Sequence, residues 1–214
     1  MKKFLKRANR GLLLGGVILM ALIIYIVIDY SRFNSEKSAI KKQIEDYMDS
    51  FFNHLESYDY EALLKLVNDS YTGKAVVSDS YFTDITDMSS KIKNISDSLS
   101  TEDKKISHMI SNVSYRITSN SVKKAGPNMA LVKLKYVVTL NSSSSSELVL
   151  PFPFGIYDGI TYYDSPPVEN ELFTYTFEAD YTLYMYYEKG TWKFSQNSGY
   201  DQINNITSVK EVSE

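Results

Sequence analysis

The chain has 214 residues, no cysteine and a formal net charge of −3 at pH 7. All 26 acidic residues and all but five of the 23 basic residues follow residue 10, so that part of the chain carries a formal charge of −8. This acidic balance argues against a nucleic-acid surface, which needs clustered cations. The lack of cysteine excludes disulfide bonds and a thiol nucleophile.

The first element is an apolar segment without a charged side chain, from Gly11 to Ile28. Extended to Tyr30, it reaches about 30 Å as a helix, which matches the thickness of bilayer hydrocarbon. A signal peptide has a shorter apolar core of about 7–15 residues and then small residues at its cleavage site. Bulky residues follow this core instead. We therefore predict a retained transmembrane helix over residues 11–30.

Charge predicts the orientation of this span, because basic flanks stay in the cytoplasm. The basic residues before the span are Lys2, Lys3, Lys6, Arg7 and Arg10. We expect residues 1–10 to be cytoplasmic and the bulk of the chain to lie outside the cell membrane.

Beyond the span, we predict a linker at residues 31–34, an extracytoplasmic domain at residues 35–200 and a polar tail at residues 201–214. In the first half of the domain, apolar residues recur every three or four positions, as on one face of a helix. This spacing predicts helices that begin near Ser35 and Asp59, which are candidate N-caps, and a third helix over residues 81–99.

The apolar period then changes to two, which is typical of strands. The longest alternating stretches are residues 130–140 and 172–187. The serine run at residues 141–146 is predicted to be a hairpin loop rather than a linker between domains, because strand-like sequence flanks it on both sides. The expected fold class is α+β, with about three helices packed on a curved antiparallel sheet of four to five strands.

The sequence PFPF at residues 151–154 starts an aromatic segment between these strands. Pro151 and Pro153 each lack an amide hydrogen, so they fit an edge strand or a position beyond the end of pairing. Two interpretations stay open for this segment. It either reaches out to a partner or folds back over the sheet.

The order of elements resembles the cone-shaped nuclear-transport-factor-2-like superfamily. The resemblance covers about residues 36–197 and depends on the first amphipathic helix, the sequence SYDYEALLKL, the third helix and the closing YTLYMYYEKGTWKF hairpin. With a basic N-terminus and one span, the chain is similar to membrane-anchored scaffold subunits of conjugation and type IV secretion machines. The resemblance implies a role in assembly, although a fold does not carry a function with it.

Tyrosine is dense toward the end of the domain, and rigid amphipathic side chains of this kind are favoured in interfaces. The candidate interaction or pocket residues are Tyr136, Phe177, Tyr181, Tyr184, Tyr186, Tyr187 and Trp192. Alternation places Tyr184 and Tyr186 on the face opposite Tyr181, so these rings do not all fill one core. The competing interpretation is that tyrosine is simply a good strand former.

No catalytic or metal-binding motif is recognisable. The two histidines, His54 and His108, have no metal-ligand spacing. Strand parity makes Glu178 and Asp180 solvent-facing, so neither is a good candidate for a general base. We predict no cofactor and no catalytic residue.

The leading hypothesis is a single-pass membrane protein whose external domain mediates assembly with another envelope protein or with itself. A ligand-binding or sensing module with an apolar pocket is the first alternative. A cone-fold enzyme of the isomerase or dehydratase type is the second.

Overall fold

The structure is a computed structural model, and it describes residues 10–73, 85–98, 110–142, 147–160, 173–195 and 202–211. The chain divides into two compact units, Met1–Ala39 and Ile40–Glu214. Its architecture is α+β, as predicted. The helices are α1 (Arg10–Glu56), α2 (Tyr60–Ser70) and α3 (Ile85–Ser98). The strands are β1 (Ile110–Gly126), β2 (Met129–Ser142), β3 (Glu147–Phe152), β4 (Gly155–Ile160), β5 (Phe173–Glu188), β6 (Thr191–Phe194) and β7 (Gln202–Glu211).

The first unit contains an apolar helical segment long enough to cross a membrane, and none of that segment is buried. Its large apolar side chains, from Leu12 to Tyr30, are 42–75% exposed. A helix that is apolar on all sides is usually a core helix or a membrane span. The exposure of these side chains excludes the core helix within the described part of the chain.

Residues 31–34, the predicted linker, are helical and continue α1. Neither glycine nor proline occurs between Val17 and Glu56, so nothing in the sequence ends the helix. The side chain of Arg32 pairs with Glu36 one turn later, at 2.9 Å. Ser35 is not an N-cap, since its hydroxyl donates to the carbonyl oxygen of Arg32 within the helix.

In the second unit, α1 continues with one buried face, as its spacing predicted. The buried residues on this face are Ile40, Ile44, Tyr47, Met48, Phe51, Phe52 and Leu55. α2 begins at the predicted N-cap, where the carboxylate of Asp59 accepts a hydrogen bond of 3.0 Å from the amide of Ala62. In α3, Met88 and Ile92 are buried, as expected. Phe82 and Leu99, which the helical spacing also placed on this face, lie outside the described residues.

Five antiparallel strands form the main sheet, in the order β1-β2-β5-β6, with β7 paired to another part of β5. Every second residue of β2 from Ala130 to Leu140 is buried. The sequence NSVKKAGPN at residues 120–128 is typical of a turn, but the turn in the structure is shorter. β1 remains paired to β2 as far as Gly126, so only Pro127 and Asn128 form the turn. Asn128 has a positive φ of 54°, a conformation that asparagine tolerates.

The prediction of a hairpin across the serine run is wrong. β1 and β5 already occupy the two edges of β2, so β3 cannot pair with it. β3 pairs with β4 instead, in a separate two-stranded sheet. Pro151 lies in a strand of this small sheet and Pro153 in its turn, in agreement with the expected edge or unpaired positions.

Candidate interaction surface

Strand alternation divides the seven candidate aromatic residues, from β2, β5 and β6, between the two faces of the sheet. On the inner face, which packs against α1, the described side chains of Tyr136, Phe177, Tyr181 and Trp192 are buried. Tyr187 is half-buried on the same face, with its ring 5.4 Å from that of Trp192. Tyr184 and Tyr186 are half-buried on the opposite, outer face. The candidates therefore form two groups rather than one site.

The centre of the inner face is filled by the β3–β4 turn. Phe154 is 1% exposed, and its ring centroid lies 5.1 Å from Phe194 and 5.6 Å from Tyr181. Phe152, before the turn, packs edge-on against Phe177 at 5.2 Å. The aromatic segment thus folds back over the sheet at these residues, which was one of the two interpretations open from the sequence.

Tyrosine hydroxyl groups surround the same turn. The carbonyl oxygen of Pro153 accepts hydrogen bonds from Tyr47, at 2.7 Å, and from Tyr71, at 3.4 Å. Burial, and then the neighbouring Tyr71, raise the pKa of Tyr47 well above its ordinary value. The Tyr47 phenol therefore remains protonated near neutral pH, and it acts as a hydrogen-bond donor rather than as a base.

Tyr136 completes this buried group from β2. Its ring stacks on that of Tyr181, with centroids 5.9 Å apart and an interplanar angle of 13°. Burial raises the pKa of Tyr136 well above its ordinary value, and the hydroxyl of Tyr181 adds to the effect. Among the described groups, no atom meets the geometry of a hydrogen bond to the Tyr136 hydroxyl. Tyr181 therefore raises the pKa of Tyr136 mainly through electrostatic repulsion, and not through a well-formed hydrogen bond.

The inner face offers no reactive centre in the described part of the chain. Its aromatic side chains pack against one another, and the raised pKa values of Tyr47 and Tyr136 keep these two phenols neutral. No group of three His, Cys, Asp or Glu residues there is arranged to hold a metal ion. His54 is half-buried, and His108 lies outside the described residues. Packing is the role that this face supports.

The outer face carries a different set of side chains, which the strand register brings together. Leu131 of β2 lies directly opposite Tyr184 of β5, and Lys193 of β6 lies opposite Tyr186. Lys133 is exposed and lies diagonally across from Tyr184, within reach of a long side chain. We call these residues, together with Lys123 opposite Leu131, the basic aromatic patch.

Basic residues outnumber acidic ones over the described positions of this face. The basic residues are Arg116, Lys123, Lys133, Lys135 and Lys193, and the acidic residues before the end of β5 are Glu178 and Asp180.

Asp180 is 38% exposed and pairs with Lys135 at 2.6 Å, so these two charges offset each other. Glu178 is exposed. The outward position of both carboxylates confirms the parity argument. Glu188, at the end of β5, accepts a hydrogen bond from Thr72.

A cluster of acidic residues lies on α1. Glu45, Asp46 and Asp49 are exposed and lie within about one turn of each other, and we call them the acidic patch. A carboxylate oxygen of Asp49 accepts a hydrogen bond of 2.5 Å from the hydroxyl of Tyr115 in β1. Burial, and then this bond to Asp49, raise the pKa of Tyr115, and the charges of Glu45 and Asp46 act in the same direction. The three carboxylates therefore all raise the pKa of the same group, the Tyr115 hydroxyl at the β1 edge.

Sequence reasoning missed the central position of Phe154 and of the Pro153 carbonyl. The alternation of proline with phenylalanine in residues 151–154 was the available sign, because proline does not fit the central strands of a sheet and so keeps this segment out of the main sheet. The sequence also did not reveal that the basic aromatic patch and the acidic patch lie on different parts of the domain surface.

No protein-family model matches this chain. A search of curated proteins likewise found no match.

Proposed function

We propose that this protein is a single-pass membrane protein whose extracytoplasmic domain assembles with another envelope protein or with a second copy of itself. The observation that carries the proposal is the exposed apolar segment of α1. Monomeric soluble proteins rarely expose contiguous apolar surface beyond a few hundred Å². A lipid bilayer is the natural cover for a helix that is apolar on every side over about 30 Å.

A retained anchor is supported by the residues that follow the apolar segment. They are bulky, and the chain stays helical through Glu56. The cluster of basic residues before the segment supports a cytoplasmic N-terminus. The acidic bulk of the chain would then lie outside the cell membrane, where the lack of cysteine leaves its stability to packing alone.

An interaction role is supported by the outer face of the sheet. Aromatic and basic side chains share this face, and tyrosine is enriched at protein interfaces. The inner face, by contrast, is filled by the β3–β4 turn, which leaves less support for a ligand pocket in that place. The enzyme alternative has no candidate catalytic group among the described residues.

A relationship to the nuclear-transport-factor-2-like superfamily remains part of this proposal. Its support is the order of the elements, helices first and then long antiparallel strands, one face of which packs against α1. On that basis the protein would be similar to anchored scaffold subunits of secretion or conjugation machines.

Cysteine labelling tests the anchor and its orientation cleanly, because the natural chain has no cysteine. Asn53→Cys introduces a thiol at an exposed position of α1, and Ala8→Cys introduces one before the span. A membrane-impermeant maleimide added to intact cells is expected to label Asn53→Cys alone. Both variants should react after the cells are lysed. Labelling of Ala8→Cys alone in intact cells would contradict the proposed orientation.

Two further measurements complete the test. The intact mass of the mature protein is expected to include residues 11–30, and a mature chain that begins after residue 30 would rule out the anchor. Chemical crosslinking in native membranes is expected to recover the protein in a complex. Recovery of the monomer alone would contradict the assembly role.

A further inference from the structure

We propose that the basic aromatic patch of one copy docks on the acidic patch of α1 in a second copy. This docking mode rests on the proposed interaction function, and it names the surface and the partner. The two patches belong to different faces of the same domain, so the contact is head-to-tail. Repetition of such a contact produces rings or open filaments rather than a closed two-fold dimer.

The size of the outer face is suited to a specific contact. β2 has 14 residues. At about 3.4 Å per residue and about 4.8 Å between strands, the outer face of β1, β2 and β5 covers about 700 Å². A standard protein interface covers about 800 Å² on each partner. The outer face as a whole therefore has about the area of one side of an interface, and the basic aromatic patch at its Tyr184 end makes up about half of it.

The side chains on this face suit an acidic partner. Lys123 and Lys133 are exposed, and Lys193 is half-buried beside Tyr186. Lys135 contributes little, because Asp180 already pairs with it. Beyond that pair, towards Tyr184, the first described outward carboxylate is Glu188 at the end of β5, which accepts a hydrogen bond from Thr72. Opposed potentials of this kind steer association and fix the register of two surfaces.

The acidic patch of a second copy is complementary in charge to the basic aromatic patch. The acidic patch presents three carboxylates at the solvent-exposed side of α1. Asp46 has a partner in its own helix, since Lys42 approaches it at 2.6 Å, whereas Glu45 lies one position before it and is exposed. Such exposed pairs within a helix contribute little stability. Copies anchored in one membrane also meet at a high effective concentration.

Photo-crosslinking of the full-length chain in membranes tests the contact directly. A benzophenone amino acid replaces Tyr184, and a second version replaces Thr139, which lies on the same face nearer the other end of β2. We expect the probe at residue 184 to crosslink to residues 41–49 of a second, differently tagged copy. The probe at residue 139 is expected to crosslink to that segment much less.

Reciprocal charge reversal tests the mechanism. The sheet variant is Lys133→Glu with Lys193→Glu, and the helix variant is Glu45→Lys with Asp46→Lys. Each variant alone is expected to lower the yield of crosslinked copies about tenfold, because attraction becomes repulsion at two positions. A mixture of the two variants should restore the yield, since each reversed patch meets its complement. Failure of the mixture to restore it would overturn the docking mode.

Matched controls separate docking from folding and from net charge. Lys65→Glu with Lys93→Glu changes the charge by the same amount at exposed helix positions and should leave the crosslinking yield unchanged. Fluorescence of Trp192, the single tryptophan, reports whether each variant is folded. For the natural chain, the yield should fall as salt rises from about 0.05 to about 0.5 M. A yield independent of salt would overturn the docking mode even if the reversed variants do not fold.

The outcomes also distinguish this inference from the proposed function. A crosslink from residue 184 to a different envelope protein would overturn self-docking and leave the assembly role intact. If native membranes yielded no complex under any crosslinker, both would be overturned.

Discussion

The hydroxyl of Tyr47 on α1 donates a hydrogen bond of 2.7 Å to the carbonyl oxygen of Pro153 in the β3–β4 turn. This bond joins a helix and a hairpin that are about a hundred residues apart in the chain, and it lies within the buried aromatic cluster. A buried carbonyl without a donor costs free energy, so the tyrosine both satisfies the turn and fixes its position.

Tyr47→Phe is expected to lower the free energy of unfolding by about 1–2 kcal/mol, because Pro153 would keep only the longer bond from Tyr71. Urea denaturation of the full-length chain in detergent, followed by Trp192 fluorescence, measures the change. Tyr184→Phe removes a hydroxyl from the outer face and serves as the control, with an expected effect below about 0.5 kcal/mol. Equal effects of the two substitutions would contradict a special role for Tyr47.

Phe154→Ala is expected to lower the free energy of unfolding by about 3–5 kcal/mol. The ring is 1% exposed and contacts Tyr47, Tyr181 and Phe194, so its removal leaves a cavity among rigid rings. The same urea experiment gives the value. The control is Tyr184→Ala, whose lost ring is half-buried on the outer face and should cost far less. A loss below about 1 kcal/mol for Phe154→Ala would show that the turn is not a core element.

Asp59→Ala is expected to cost about 1 kcal/mol, since it removes the N-cap bond to the amide of Ala62. Asp59→Asn keeps a side-chain oxygen in the same place and should retain most of the stability. Exchange of the amide hydrogen of Ala62, measured by mass spectrometry or NMR, is expected to accelerate in the alanine variant. Identical exchange in both variants would argue against the cap.

Stability is expected to decline in strongly alkaline solution, and Tyr60 contributes a definable part of the decline. Burial, and then the charge of Tyr58, raise the pKa of Tyr60 to about 12, against about 10 in the unfolded chain. The folded state therefore holds the phenolic proton more tightly. This contribution is fully present below pH 10 and is lost as the pH rises from about 10 to about 12.

The difference in unfolding free energy between the natural chain and Tyr60→Phe isolates this group from the other tyrosines and the lysines. We expect a constant difference up to about pH 10. Above that, the natural chain should lose up to about 1.4 kcal/mol per pH unit relative to the variant. A difference that stays the same from pH 9 to pH 12 would contradict the raised pKa.

Leu19→Arg with Ile23→Arg is expected to remove the protein from the membrane fraction that resists alkaline washing. An arginine near the centre of a membrane helix costs about 2.5–3.5 kcal/mol for insertion. Leu19→Ala with Ile23→Ala is the control and should remain in the membrane. Retention of the arginine variant would indicate that the segment is covered by something other than lipid.

The sequence by itself determined the elements whose side-chain period repeats locally. The apolar face of α1 from Ile40 to Leu55, the N-cap at Asp59 and the alternation of β2 all follow from neighbours in the chain. Local spacing sets which face of an element is apolar, and the hydrophobic effect then favours the burial of that face. For the same reason the outward position of Asp180 was predictable.

Tertiary structure alone decided how these elements combine. The serine run appeared to join two paired strands, but strand partners depend on which edges are already occupied, and β1 and β5 occupy both edges of β2. The position of Phe154 depends on a cavity formed by rings from α1, β5 and β6. The separation of charge between the acidic patch and the basic aromatic patch depends on which faces the fold turns outward. These are contacts between distant residues, and no local pattern encodes them.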